Sequence, residues 1–361
     1  MQSTLIATGD ILTTQSLKPF LRSGTSVYEP VLAMLKSADI TFGNLEVCLT
    51  RNGHPVEKPV NLRANISVAA EIGQAGVDIV TVANNHSLDF GYEGLRETLR
   101  ALESAGIRHV GGGKNLRDAL APVTLSRKGI RISYLGFSSC LPLGAEAGAT
   151  RPGIAPVRVS TAYEIDPGTL LEQPGTVPVV RTSLNRRDVS LMEKATQQAK
   201  MGADLLIVAI HWGVAFQDRL AEYQRTLAHA IVDAGADLVI GHHPHVPHGV
   251  EVYQHKVIFY SLGNFVMQFK IKEELSSLFE SIGIDLEKED ANGAETFIVR
   301  ATIDRNGKAC VQMIPIVIDD RGFPRLADDT SSQRVLKKIK RLSAGMARID
   351  VEGGIGIVRG L

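Results

Sequence analysis

Only three cysteines, Cys48, Cys140 and Cys310, occur in the 361 residues. They are odd in number and far apart, which excludes a disulfide framework and a zinc site made of paired cysteines. Net charge is lacking too. Lysine plus arginine number 39 and aspartate plus glutamate 39, so no global field draws the chain to nucleic acid or anionic lipid. No segment approaches the roughly 18 apolar residues a membrane-spanning helix needs. The opening MQSTLIATGD also lacks the basic start and apolar run of a secretory signal. A soluble, unexported chain in the reducing cytoplasm, with no nucleic-acid or membrane partner, is expected.

What is present is ordinary for a soluble enzyme, with 44% hydrophobic and 22% charged residues. One stretch is not ordinary. VIGHHPHV, residues 239–246, sets three histidines within four positions directly after strand-forming residues. GADLVIGHH from Gly235 is echoed by GADLLIVAIH from Gly202, GVDIVTVANNH from Gly76 and, more loosely, SADITFGNLE from Ser37. Each begins on a helix-ending signal, runs through β-branched and apolar residues, and finishes on a potential metal ligand. Glycine after a helix suits a left-handed cap, and the apolar run suits a strand buried on both faces. From Asp39, Asp78, Asp204 and Asp237 to Glu46, Asn85, His211 and His243 is six or seven residues. Parallel strands of that length would deliver the four side chains to one edge, where open α/β sheets bind ligands.

Between these strands the spacing of apolar residues by three and four predicts helices at 93–106, 188–202 and 224–235. An alternating α/β domain over residues 1–320 is expected, followed by a C-terminal helix and loose tail over 321–361. Residues 160–188 read as a loop insertion near the site. KIKEELSSLFESIGIDLEKEDANG reads as a helix and loop, and ETFIVRATIDRNGKACVQMIPIVID as a hairpin turning at RNGK.

Collected at the strand ends are Asp10, Glu46, Asn85, His86, His211, His243 and His245. Carboxylate, amide oxygen and imidazole together suit manganese, iron or zinc. A lone histidine at a strand end is commonly a satisfied loop residue; seven such residues on successive strands make a metal site the better reading.

In order along the chain, GD, FGNLE, VANNHSLDFGYEGL, AIHWG, AGADLVIGHHPHV and YSLGNFV resemble the motifs of the capsule-biosynthesis CapA family, within the calcineurin-like metallophosphoesterase superfamily. The likeness covers roughly residues 3–266. It implies a four-layer α/β/β/α sandwich with two divalent metal ions where the strands end. Carried over position by position, it implies Asp10 and His245 on the first metal, Glu46 as a bridge, and Asn85, His211 and His243 on the second. His86 would face the substrate, oriented by Asp89, while His242 falls outside the ligand pair, as a structural residue or one that braces a ligand.

The sequence departs from the superfamily twice. A histidine is expected two residues after the first aspartate, and Leu12 stands there; the gap is left to water, Asn44 or substrate. Many relatives carry an acidic residue after HWG, where this chain has Val214.

Lys58, Arg63 and Arg151 could hold a carboxylate or phosphate, although solvated surface charge is the plainer reading of Lys58 and Arg151. Trp212 either walls the pocket or packs beneath the ligand strand. Asn264 could brace a ligand histidine, and GGG at 111–113 reads as a tight turn, since no GK[ST] ending follows it. Paired cations acidify a shared water and stabilise charge on an attacked phosphoryl or carbonyl group. A hydrolase of an amide, peptide or phosphoester bond in an anionic substrate, related to poly-γ-glutamate or capsule metabolism, is therefore expected. A metal-dependent peptide or amino-acid epimerase and a non-enzymatic assembly factor are the alternatives.

Overall fold

The computed structural model describes residues 2–22, 27–269, 293–304 and 309–360. The segment expected as a helix and loop after Phe269 lies outside the described residues, as does the RNGK turn. The strands on either side of that turn, Glu295–Asp304 and Ala309–Ile318, do pair antiparallel.

Two sheets stack face to face. In the ten-stranded one, Gln2–Leu12 lies centrally, with Ile40–Leu45, Ile79–Thr81 and Arg108–Val110 following in order on one side and Glu295–Asp304 and Ala309–Ile318 on the other. The six-stranded one is built around Ile130–Ser138, Leu205–His211 and Leu238–His242. Successive residues of a strand face opposite ways, and the continuous apolar runs use both faces. Leu5, Ala7, Ile207 and Ala209 meet between the sheets. Ile6 faces outward onto helices Glu29–Ser37, Val68–Gln74 and Gly91–Ser104. Leu206 and Val208 face outward onto Arg186–Met201 and Glu222–Asp233. Two helical layers outside two sheets make the four-layer α/β/β/α sandwich.

The echoed aspartates set the strand register. Asp39, Asp78, Asp204 and Asp237 each accept, at 2.8 Å through the side chain, the backbone N–H of Thr4, Thr41, Arg131 and Leu206 on the neighbouring strand. Each also donates its own N–H to the carbonyl of that residue, at 2.8–2.9 Å. Four parallel strand pairs are thus fixed at their amino ends, and nearly equal run lengths then bring their carboxyl ends level.

The predicted helices each begin two residues earlier than the apolar spacing indicates, at Gly91, Arg186 and Glu222. Gly76 and Gly235 do adopt left-handed φ, +100° and +115°. Gly202 does not, with φ −98°.

Two further segments differ from expectation. Residues 351–361, read as a loose tail, contribute to a hairpin of Arg348–Glu352 and Ile355–Arg359 joined to Ala309–Ile318. Gly353 and Gly354, both at positive φ, supply the two-residue turn this hairpin needs. Helix Asp329–Leu342 inserts Val335 and Ile339 into the layer between the sheets. Residues 160–188 hold a second hairpin, Val159–Glu164 with Val179–Leu184, and none of them lines the cavity described below. Among the described residues no helix is long and apolar enough to cross a membrane.

Candidate metal centre

The clamped register determines which side chains meet. Asp10 lies near the end of Gln2–Leu12, Glu46 follows Ile40–Leu45, Asn85 and His86 follow Ile79–Thr81, and His211 ends Leu205–His211. His243 and His245 follow Leu238–His242. Asp10, Glu46 and Asn85 therefore reach the site from one sheet, and the three histidines from the other.

The structure brings all six together. His211 Nε2 lies 2.8 Å from Asn85 Oδ1 and 3.4 Å from Glu46 Oε1. His245 Nδ1 lies 3.3 Å from Asp10 Oδ2, and its Nε2 lies 3.8 Å from Glu46 Oε1. The rings of His211 and His243 are 4.7 Å apart. Donor atoms within 4.8 Å of one another form three groups: Asp10, Glu46 and His211; Glu46, His243 and His245; and Cys140, His211 and His243. Glu46 belongs to two of them, a bridging position. His211 and His243 share one group, and His245 lies beside Asp10, the pairs expected from the resemblance; the same donors also bring His211 near Asp10 and His243 near His245.

A divalent cation fits this set. Glu46 is fully buried and its Oε1 meets no hydrogen-bond donor among the described residues. A buried acceptor left without a partner costs about 1–3 kcal/mol, and a cation held by Glu46 and the facing imidazoles would remove that penalty. His243 Nδ1 is likewise buried without a partner. His243 and His245 also hold φ at +97° and +59°, left-handed values that cost a non-glycine residue of order 1–3 kcal/mol and cluster at functional sites.

A polar frame surrounds the donors. Asn44 donates to Asp10 Oδ1 at 2.8 Å and to Glu46 Oε2 at 3.3 Å. Its own Oδ1 accepts from Asn84 Nδ2 at 3.0 Å, so Asn44 braces the carboxylates rather than filling the gap beside Leu12. Leu12 itself lines the cavity as apolar wall. Asn264 Oδ1 sits 3.0 Å from His245 Nδ1, which turns Nε2 toward Glu46. His242, expected as a structural residue or a brace behind a ligand, places Nδ1 2.9 Å from Asp10 Oδ1 and so braces that carboxylate.

Beside the cluster is a cavity of about 220 Å³. His86 lines it, with Nδ1 held at 2.7 Å by Asp89 Oδ2. Lys58 lines it as well, its ammonium on the Asp89 carboxylate and, at 2.7 Å, on the Asn85 carbonyl. Leu12, Val60, Leu62, Phe216 and Met267 make an apolar wall.

Three predicted substrate contacts lie elsewhere. Trp212 is wholly buried, stacks on Tyr260 and donates to the Tyr260 carbonyl at 2.8 Å, because adjacent residues of a strand face opposite layers. Arg151 pairs with Glu146 at 2.8 Å. Exposed Arg63 lies over the Phe90 ring. None of the three lines the cavity.

Burial raises Glu46, and the nearby Asp10 charge pushes it further, to about 7. Burial likewise opposes ionisation of Asp10, but hydrogen bonds from His242 and His245 outweigh it and hold Asp10 well below the usual carboxylate range. Burial pulls His245 down, yet Glu46 and Asp10 outweigh it and raise His245 to about 9. Burial holds His211 and His243 well below the ordinary histidine value.

These shifts give a pH dependence for the cation-free protein. Between about pH 6.5, the unfolded histidine value, and pH 9, folded His245 keeps a proton that the unfolded chain has lost. The stability this contributes is complete below about 6.5 and disappears as pH rises through 9. Glu46 acts in the same sense between its ordinary value of 4.5 and about 7. His211 and His243 oppose this only below about 6.5, where the unfolded imidazoles would be charged. Cation binding displaces the His245 proton, so the rise in melting temperature caused by Mn²⁺ over EDTA is expected to grow between pH 7 and 9. A rise that shrinks over that interval would contradict the assignment of His245 as a donor.

Residues 4–269 match the model of the family described as bacterial capsule synthesis protein PGA_cap. The capsule biosynthesis protein CapA of Bacillus anthracis is 34% identical over 269 residues, 73% of this chain and 59% of that protein. The PGA biosynthesis protein CapA of Bacillus subtilis (strain 168) is 29% identical over 79% of this chain and 73% of its own length. The chain thus spans less than two thirds of the first relative. The solved structure of TT1561 of Thermus thermophilus overlays 86% of this chain and 98% of that one at 9% identity, with a TM-score of 0.38, a level that bears on neither fold nor function.

Proposed function

The chain belongs to the bacterial capsule synthesis protein family PGA_cap, whose CapA-type members serve capsule and poly-glutamate synthesis, and from that premise we propose that it is a metal-dependent hydrolase. Its substrate would be an anionic molecule carrying an amide, peptide or phosphoester bond, and its place the reducing cytoplasm, where Cys48, Cys140 and Cys310 stay free. The observation that carries the reading is the fully buried Glu46 carboxylate, with an unpartnered oxygen turned toward imidazoles from the opposite sheet.

Two cations held by Asp10, Glu46, Asn85, His211, His243 and His245 would supply Lewis acidity to the attacked group and acidify water. The remaining work falls to the chain. Asp89 fixes the His86 ring through Nδ1, so Nε2 is the atom able to give a proton to a leaving oxygen or nitrogen. Lys58 holds Asp89 from the other side and is the one lysine or arginine among the described residues lining the cavity. The apolar wall excludes water from the reacting bond and strengthens the polar contacts there.

The test is a turnover screen over γ-glutamyl amides, peptides and phosphoesters after loading with Mn²⁺, Fe²⁺ or Zn²⁺. His86→Ala is expected to keep its metal content and lose roughly 10²–10⁴-fold in kcat, the usual contribution of a positioned acid or base. Absence of metal-dependent cleavage of all three substrate types would sink the reading, and wild-type turnover by His86→Ala would remove that residue from it.

A further inference from the structure

We infer that Cys140 is a thiolate ligand at the end of the cluster formed by His211 and His243, making that cation position selective for thiophilic ions such as zinc, iron(II) or cobalt(II). The inference rests on the metal-dependent reading above and adds a donor to it.

Cys140 follows strand Ile130–Ser138, which pairs in parallel with the strand that His211 ends, Ser138 standing opposite His211. The two chains remain tied past their ends, where Ser139 donates its N–H to the His211 carbonyl at 2.8 Å. This places the Cys140 sulfur within 4.8 Å of ring nitrogens of both His211 and His243. Donors sharing one tetrahedral ion, with bonds of about 2.3 Å to sulfur and 2.0 Å to nitrogen, stand roughly 3.5 Å apart. A contraction of at most about 1.3 Å from that 4.8 Å limit would bring the sulfur and nitrogens onto one ion.

Two neighbouring atoms point independently to an ion there. His243 Nδ1 is buried with no partner, and Glu46, wholly buried, turns its unpartnered Oε1 to within 3.4 Å of His211 Nε2. Cys140 itself is a free cysteine. On binding, the sulfur–metal bond would replace the S–H bond, and the proton would pass to solvent. Imidazole, carboxylate and amide oxygen discriminate poorly among manganese, iron and zinc, whereas one sulfur shifts the preference toward the softer ions.

Cobalt(II) gives a test separate from turnover. Titrating the full-length protein with Co²⁺ should produce visible d–d bands together with an intense near-ultraviolet sulfur-to-cobalt charge-transfer band. Cys140→Ser should lose the near-ultraviolet band and keep the visible ones, and its Zn²⁺ affinity relative to Mn²⁺ should fall by at least the roughly 10–100-fold typical of losing an outer-shell partner. Visible bands that vanish in His243→Ala, with no charge-transfer band in the wild-type protein, would overturn the sulfur ligand and leave the metal-dependent reading standing. No cobalt bands at all in the wild-type protein would remove both.

Discussion

Glu46→Gln is expected to yield a folded protein that no longer retains divalent cations. Glutamine matches the volume of glutamate, and its carbonyl can still accept from Asn44 Nδ2, which lies 3.3 Å from Glu46 Oε2. Its amide N–H would offer a donor to the facing imidazoles, so the cation-free fold sheds an unpartnered buried acceptor and gives up only the Glu46 charge that helps hold the His245 proton. The cation site loses its central charge. Because Glu46 belongs to two of the three donor groups, both positions weaken together, by roughly 10²-fold or more, beyond the 10–100-fold effect of an outer-shell change. Elemental analysis after dialysis and the Mn²⁺-induced shift in melting temperature measure this directly. Wild-type stoichiometry and an unchanged shift would show that the donor cluster is not where cations bind. The same variant should flatten the alkaline loss of stability, since the Glu46 charge helps hold the proton on His245.

The shared level of the ligand positions was legible in the sequence because they follow a backbone rule, while the bridging place of Glu46 was implied only by the family resemblance. Asp39, Asp78, Asp204 and Asp237 clamp the amino ends of neighbouring strands, so counting six or seven residues forward reaches the level at which the strands end. Side-chain direction was less legible. Trp212 follows the ligand His211 directly, and period-two alternation sends it to the opposite layer, beside Tyr260. The same alternation narrows the two readings of His242 to a brace on Asp10. Leu238 and Ile240 face the layer between the sheets, and His242, next in that series, reaches Asp10 from that side.

Arg63 and Arg151 illustrate a different limit. They lie on connections, where no strand register fixes position, and nearness in sequence to ligand residues did not place either beside the cavity. Cys140 carried the strand-end signal shared by the other donors, in the run ISYLGFSSC. The absence of a second nearby cysteine hid it, because sulfur ligands are ordinarily read in pairs.

Gly241→Ala is expected to cost about 3 kcal/mol or more, at the upper end of what overpacking does, and to empty the cation site even where the protein still folds. Gly241 precedes His242 and His243, in the strand paired with that of His211. A Cβ at this position would stand 2.1 Å from the Tyr260 carbonyl oxygen and 2.6 Å from Trp212 Nε1. Those two atoms are hydrogen-bonded to each other at 2.8 Å, and the first belongs to the backbone, so no side-chain rotation relieves the clash. The strand must move away from Tyr260, and the histidines that follow it move with it. For a chain of this size the cost corresponds to roughly 4 °C or more in melting temperature, at about 1.3 °C per kcal/mol. Gly202→Ala is the matched control from the echoed stretch GADLLIVAIH. With φ −98° and nothing closer to a new Cβ than the Ala199 carbonyl at 4.0 Å, it should remain within about 0.5 kcal/mol of wild type and keep its metal. Equal melting temperatures for the two variants would mean that close approach of the Tyr260 carbonyl to Gly241 does not hold the histidine turn in place.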